Sequence, residues 1–240
     1  MPDIEFIPVN ELVGDFPPIP LKKAIPEWYK DLDNIVPGLS FTAKGVSAQE
    51  LNHTVFSMKK CVPIQDYLTS GYLLRFPSEV LISTESGNDR TETFHWRCKM
   101  NNVVATHSHM QCPIKIEDKR HNYIKFSGGY VIKTPPGYSC LFYQPQFFFE
   151  NRFSLFSAIV DTDTYDNAIQ FPGYITGKED DFKIDAGTPL IAVFPFKREN
   201  WNSTVSTKPH DFTESKMFKK INLYFSDIYR NFFHSAKNYK

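Results

Sequence analysis

Between Tyr72 and Phe196 the chain is a succession of short runs: YLLRF, EVLIST, ETFHWRCKM, YIKFSGGYVIKT, YSCLFYQP, FSAIVDT, NAIQFPGYIT and PLIAVFPFK. Each is rich in β-branched and aromatic residues, and each is stopped by Pro, Gly, Asn or Asp. That alternation is the signature of a sandwich or barrel of short strands. Seventeen prolines against eleven glycines favour rigid turns between them. A chain of 240 residues with 41% hydrophobic and 15% aromatic content can bury one sizeable core, or a core plus an appendage. One main domain is expected.

The flanks read differently and set the expected boundaries: 1–61 as a proline-rich arm with short helices, 62–200 as the β domain, and 201–240 as a linker and C-terminal helix. Residues 1–46 are punctuated by FPPIP, AIPEWYK and IVPGLS, which leaves room for a short helix around Pro26–Leu32. In SAQELNHTVFSMKK, Ser47 and Glu50 have capping-box spacing and Leu51, Val55 and Met58 recur at helical intervals, predicting a helix of about three turns. Near the C-terminus Phe218, Ile221, Phe225, Ile228 and Phe232 make a helical stripe, with Asp211 and Glu214 at capping-box spacing before it. Such a seam docks on the protein's own body or pairs helices across a symmetric oligomer.

Charge and cysteine content narrow the setting. The 27 basic and 27 acidic residues cancel, so no whole-molecule field points to nucleic acid, an anionic membrane or an acidic substrate. The start, MPDIEFIPVN, has no basic and apolar signal pattern, and no apolar stretch approaches the roughly 18 residues of a membrane span. Four cysteines (Cys61, Cys98, Cys112, Cys140) are too few for a disulfide framework and suit a reducing compartment.

The stretch AIVDTDTYDNAIQ places Asp161 and Asp163 one residue apart ahead of Tyr165. Two roles compete for the acids: catalysis, or the turn chemistry of residues that bond their own backbone. Ile159-Val160-Asp161-Thr162-Asp163-Thr164-Tyr165 resembles the Val-Ile-Asp-x-Asp-Tyr turn of the dUTPase and dCTP deaminase superfamily, with one extra residue before the tyrosine. Gly187-Thr188-Pro189-Leu190-Ile191-Ala192-Val193-Phe194 resembles that family's Gly-Asp-x-Ile-x-Gln strand. Ser70-Gly71-Tyr72-Leu73-Leu74 is similar to its Ala-Gly-Tyr-Asp-Leu segment, and Pro135-Pro136-Gly137-Tyr138 to its Pro-x-Gly-x turn.

The likeness covers about residues 62–198 and implies a β-clip, a distorted and mostly antiparallel barrel, in a family usually trimeric. It implies Asp161 as the residue that orients the attacking water, Tyr165 as the platform under a nucleoside, and Mg²⁺ held through nucleotide phosphates. The family's phosphate-binding serine motif has no counterpart: that place holds Leu141-Phe142-Tyr143-Gln144-Pro145-Gln146-Phe147-Phe148-Phe149. The whole chain also resembles uncharacterised proteins of marine tailed bacteriophages, which implies the host cytoplasm or the virion as its location.

The expectation is a phage-encoded, non-catalytic binding or assembly protein, a homotrimer with other virion subunits as further candidate partners, needing no cofactor. Tyr165 and Gln144 are its candidate ligand-binding residues. The alternatives are a Mg²⁺-dependent nucleotide pyrophosphatase using Asp161, Asp163 and Tyr165, and a protein that sequesters nucleotides without turnover.

Three further patterns compete with bland readings. His95, Cys98, His107, His109 and Cys112 offer the ligand types that Zn²⁺ takes, but at no zinc-finger spacing, and a half-buried polar hairpin explains them equally. Gly129 to Gly137 fits the opening of the second cupin motif and His107-x-His109 the first, so a cupin-like jelly roll is the alternative fold. Cys140 sits in an apolar run as a small hydrophobe. Lys197-Arg198 reads as a solvated charge pair.

Overall fold

The structure is a computed structural model that describes residues 2–36, 56–85, 93–106, 123–176, 181–211 and 228–239. Every β-rich run yields at least one strand. They are β3 (Tyr72–Arg75), β4 (Val80–Glu85), β5 (Thr93–Cys98), β7 (Tyr123–Ser127), β8 (Tyr130–Lys133), β9 (Tyr138–Tyr143), β11 (Ala158–Val160), β12 (Gln170–Ile175) and β14 (Pro189–Lys197). Five more lack so clear a pattern: β1 (Glu5–Pro8), β2 (Ile19–Pro20), β6 (Val104–Thr106), β10 (Phe153–Leu155) and β13 (Asp181–Ile184).

The chain divides into two compact units, Met1–Ala24 with Gly71–Arg198, and Ile25–Ser70 with Glu199–Lys240. The first contains the fourteen strands of the described residues, all paired antiparallel, in sheets of order β11-β9-β14-β3-β2, β10-β12-β7-β6, β13-β4-β5 and β1-β8. The expected mainly β, antiparallel architecture is present, and among the described residues no sheet closes on itself as a barrel.

Strand β14 lies between β9 and β3 and is buried from Leu190 to Val193. Both its faces are covered, which is why its sequence is a continuous apolar run and not an alternation. Ile191 and Val193 join the main core, while Ala192 packs with Leu21 and Leu73 on the other side. The register shifts between Pro189 and Ile191, so this strand carries an irregularity where it begins to pair with β3. Inside the main core Phe76, Phe126 and Phe153 form an edge-to-face triangle with centroid separations of 5.0, 5.2 and 5.6 Å. All three are fully buried, and truncating such a ring to Ala costs about 3–5 kcal/mol.

Pro172 and Gly173 sit inside β12, an internal strand, where sequence rules disfavour both. The carbonyl of Pro172 accepts from Phe156 N at 2.9 Å, and the N and C=O of a strand residue face the same side. The missing donor therefore faces Phe156 just past the end of β10, which is where the ladder between β10 and β12 stops. At Gly173 a Cβ would stand 2.1 Å from the Ser154 carbonyl oxygen, so the close approach of β10 requires glycine.

The second unit holds α1 (Glu27–Asp31), α2 (Val62–Thr69) and α3 (Ile228–Phe232). Pro26 caps α1 within the expected Pro26–Leu32 segment. Of the helix expected around SAQELNHTVFSMKK, Ser47, Glu50, Leu51 and Val55 lie outside the described residues, and Met58–Lys60 is a 3-10 turn. The C-terminal stripe is described only at Ile228 and Phe232, which bound α3; Phe218, Ile221 and Phe225 lie outside. In this unit Asp66 of α2 receives Lys237 Nζ at 2.5 Å and His234 Nε2 at 3.1 Å. Partial burial opposes ionisation there, but the two donors outweigh it and hold the carboxyl below the usual range. No helix of the described residues is long and apolar enough to cross a membrane.

Candidate functional site

The acid pair sits where β11 ends. β11 runs antiparallel to β9 with Val160 opposite Cys140, which sets Asp161 beside Ser139. The Ser139 hydroxyl donates to Asp161 Oδ1 at 2.7 Å. The chain then coils tightly, with Thr164 N and Tyr165 N both donating to the Asp161 carbonyl at 3.1 and 2.9 Å. The extra Thr164 is thus taken up in a helical turn. Asp163 swings back to accept from Gly137 N at 2.8 Å. Gly137 stands at φ +85°, a conformation that suits glycine in the Pro-Pro-Gly-Tyr turn.

Arg198 closes this arrangement. Lys197 pairs with Tyr138 at the end of β14, so the next residue falls beside Gly137, whose carbonyl accepts from Arg198 N at 2.8 Å. Its guanidinium then grips Asp163 with both terminal nitrogens, Nη1 lying 2.9 Å from Oδ1 and Nη2 on Oδ2. Nη1 also donates to Ser139 Oγ at 3.0 Å and to the Tyr138 carbonyl at 3.1 Å, and lies 3.2 Å from Asp161 Oδ1. The planar fork of arginine suits such a two-point grip. The Asp163 side chain is 5% exposed and that of Asp161 61%, so Asp163 is the acid built into the structure. The hydrogen bonds from Arg198 and then from Gly137 hold its carboxyl well below the usual carboxylate range, at about 2.

Beneath the acids, the buried Thr162 hydroxyl lies 2.7 Å from that of Thr134 and donates to Cys140 Sγ at 3.4 Å. Burial pushes the Cys140 thiol up to about 11, so it stays protonated and unreactive at neutral pH, as the small hydrophobe its sequence context suggests.

The remaining candidates separate. Tyr165 is 43% exposed and lines a cavity of about 720 Å³ with Val160, Ile169, Gln170, Ser127 and the Met100–Val103 turn. Its backbone is pinned on both sides, by Asp161 as above and by Lys133 Nζ, which donates to its carbonyl at 3.2 Å and pairs with Asp166 at 2.7 Å. Gln144 does not join it. Its amide accepts from Leu155 N at 2.9 Å and donates to the Phe153 carbonyl at 3.1 Å, so both ends are used in tying β10 to the end of β9. Of the histidine and cysteine cluster, His95 and Cys98 lie on β5 three residues apart, an odd spacing that sends them to opposite faces; His107, His109 and Cys112 lie outside the described residues. Among the described residues no three His, Cys, Asp or Glu side chains gather as a metal group.

Sequence reasoning missed Arg198. Its partners lie 35 and more residues away, so spacing carried no signal; only its position directly after an apolar strand could have marked it. The Mg²⁺ implied by the family resemblance fits this geometry poorly. Both acids already face a guanidinium, whose positive charge disfavours a divalent cation beside them. Compared with protein-family models, with curated proteins and with solved structures, the chain matches none. What fold and site define is a mainly β, antiparallel protein whose acid pair is bound up in an arginine clasp.

Proposed function

We propose that the chain is a non-catalytic binding or assembly protein, phage-encoded, on a dUTPase-like β-clip scaffold. The observation that carries this reading is the engagement of the acid pair: Arg198, Ser139 and Gly137 use Asp161 and Asp163 to fasten three strand ends together. A carboxylate that orients water for in-line attack at phosphorus works in a neighbourhood that gathers phosphate-bound cations. Asp161 Oδ1 accepts from a hydroxyl and faces a guanidinium, whose positive charge opposes the gathering of phosphate-bound cations there. No serine stands along Leu141–Phe149 to contact phosphates, and Gln144 is committed to β10.

Incubation with the common ribo- and deoxyribonucleoside triphosphates and Mg²⁺ tests this. The expected result is no release of monophosphate or pyrophosphate above buffer. Release that disappears in Asp161→Asn would overturn the reading and favour the pyrophosphatase.

A further inference from the structure

We propose that the cavity beside Tyr165 is a binding site for a neutral, hydroxyl-rich ring, a saccharide unit. This rests on the reading of the chain as a binding protein and assigns the class of its ligand. The volume of about 720 Å³ lies within the roughly 300–1,000 Å³ of small-molecule sites. Among the described residues, none that lines it carries a charge. A phosphate or carboxylate placed there would lose water without gaining a counter-charge, which excludes nucleotides as the favoured occupant.

The polar lining consists mainly of amides: Asn101, Asn102, Asn167 and Gln170 stand around an opening shared with Ser127. Carboxamides offer both donors and acceptors, which is what a ring of hydroxyl groups presents in return. Val9, Val13, Val103 and Ile169 supply apolar surface. Among the described residues Tyr165 is the single aromatic of the lining, so the site offers one ring for stacking. A sugar needs only one, laying its C–H face on the ring while its hydroxyls reach the amides. A flat base gains most when sandwiched by two.

Three features show that the site is held in shape. The Tyr165 backbone is fixed by Asp161 and Lys133, as described above. Asn102 adopts φ +64°, a left-handed conformation uncommon outside glycine, and holds the cavity's outer turn there. Asn167 Oδ1 accepts from Ala168 N at 2.8 Å, which fixes the direction of its amide.

Calorimetric titration of the full-length chain with a panel of neutral mono- and disaccharides, uncharged nucleosides and nucleoside triphosphates tests the assignment. A saccharide should bind more tightly than any nucleoside or triphosphate. Tyr165→Ala should weaken it about tenfold or more, and Gln170→Ala should weaken it as well. Trp201→Ala, outside the site, should bind like the parent, and matching melting curves should show that all variants fold. The assignment is overturned if no sugar of the panel binds, if a nucleoside or triphosphate binds best, or if sugar binding survives Tyr165→Ala. Nucleotide turnover is read separately: it would sink the non-catalytic reading, whereas failure of every sugar to bind would leave a negative turnover result standing.

Discussion

Asp163 accepts hydrogen bonds from both terminal nitrogens of Arg198 and from Gly137, which lowers its carboxyl to about 2 against an unfolded value of about 3.9. A group whose folded pKa is depressed contributes stability that is complete above its unfolded pKa and is lost as pH falls through the folded value. The clasp therefore acts fully above about pH 4 and fades toward about pH 2. Arg198→Leu should lower the melting temperature at pH 7 by a few degrees, with the gap from the parent closing as pH approaches 2; differential scanning calorimetry across that range reads both. Asp161→Asn should change it far less, because that acid is mostly exposed and exposed ion pairs contribute little. The two acids were legible from their spacing and from the likeness to a known turn. Their partner was not, because a short charge pair looks the same in sequence whether it is solvated or folded onto an acid.

Among the elements, strands with strong apolar runs could be read from the chain, β14 most clearly. Those missed had other reasons to form. β1 is mostly exposed and is held by pairing with β8, while β6 and β10 are three residues long and gain their order from longer neighbours. The interior of β12 runs against propensity at Pro172 and Gly173, and only the position of β10 explains it: one residue lies past its end and the other lies under it. Gly173→Ala should accordingly be severe, since the new methyl meets a backbone oxygen that cannot turn aside. The expected outcome is loss of the cooperative thermal transition or of soluble protein, followed by circular dichroism and expression yield, whereas Gly14→Ala meets open space and should melt close to the parent.

For the molecule as a whole, the strand-built unit is assembled from both sides of an intervening segment, Met1–Ala24 joining Gly71–Arg198, and the helices belong to the other unit. Sequence patterning gave the class, mainly antiparallel β, because local runs decide strand formation. It could not give which strands pair, since partners such as Glu5 and Lys133 are chosen by three-dimensional packing and leave no local mark. The same limit hid the meaning of AIVDTDTYDNAIQ: the ends of β9, β11 and β14 converge only in the fold, and there the acids fasten those ends together. Carbon-13 NMR titration of the Asp163 carboxyl, in the parent and in Arg198→Leu, tests this most directly. The clasp predicts a pKa near 2 in the parent, rising toward the ordinary carboxylate value of about 4 in the variant. A parent value already near 4 or above it, or one that Arg198→Leu leaves unmoved, would contradict it.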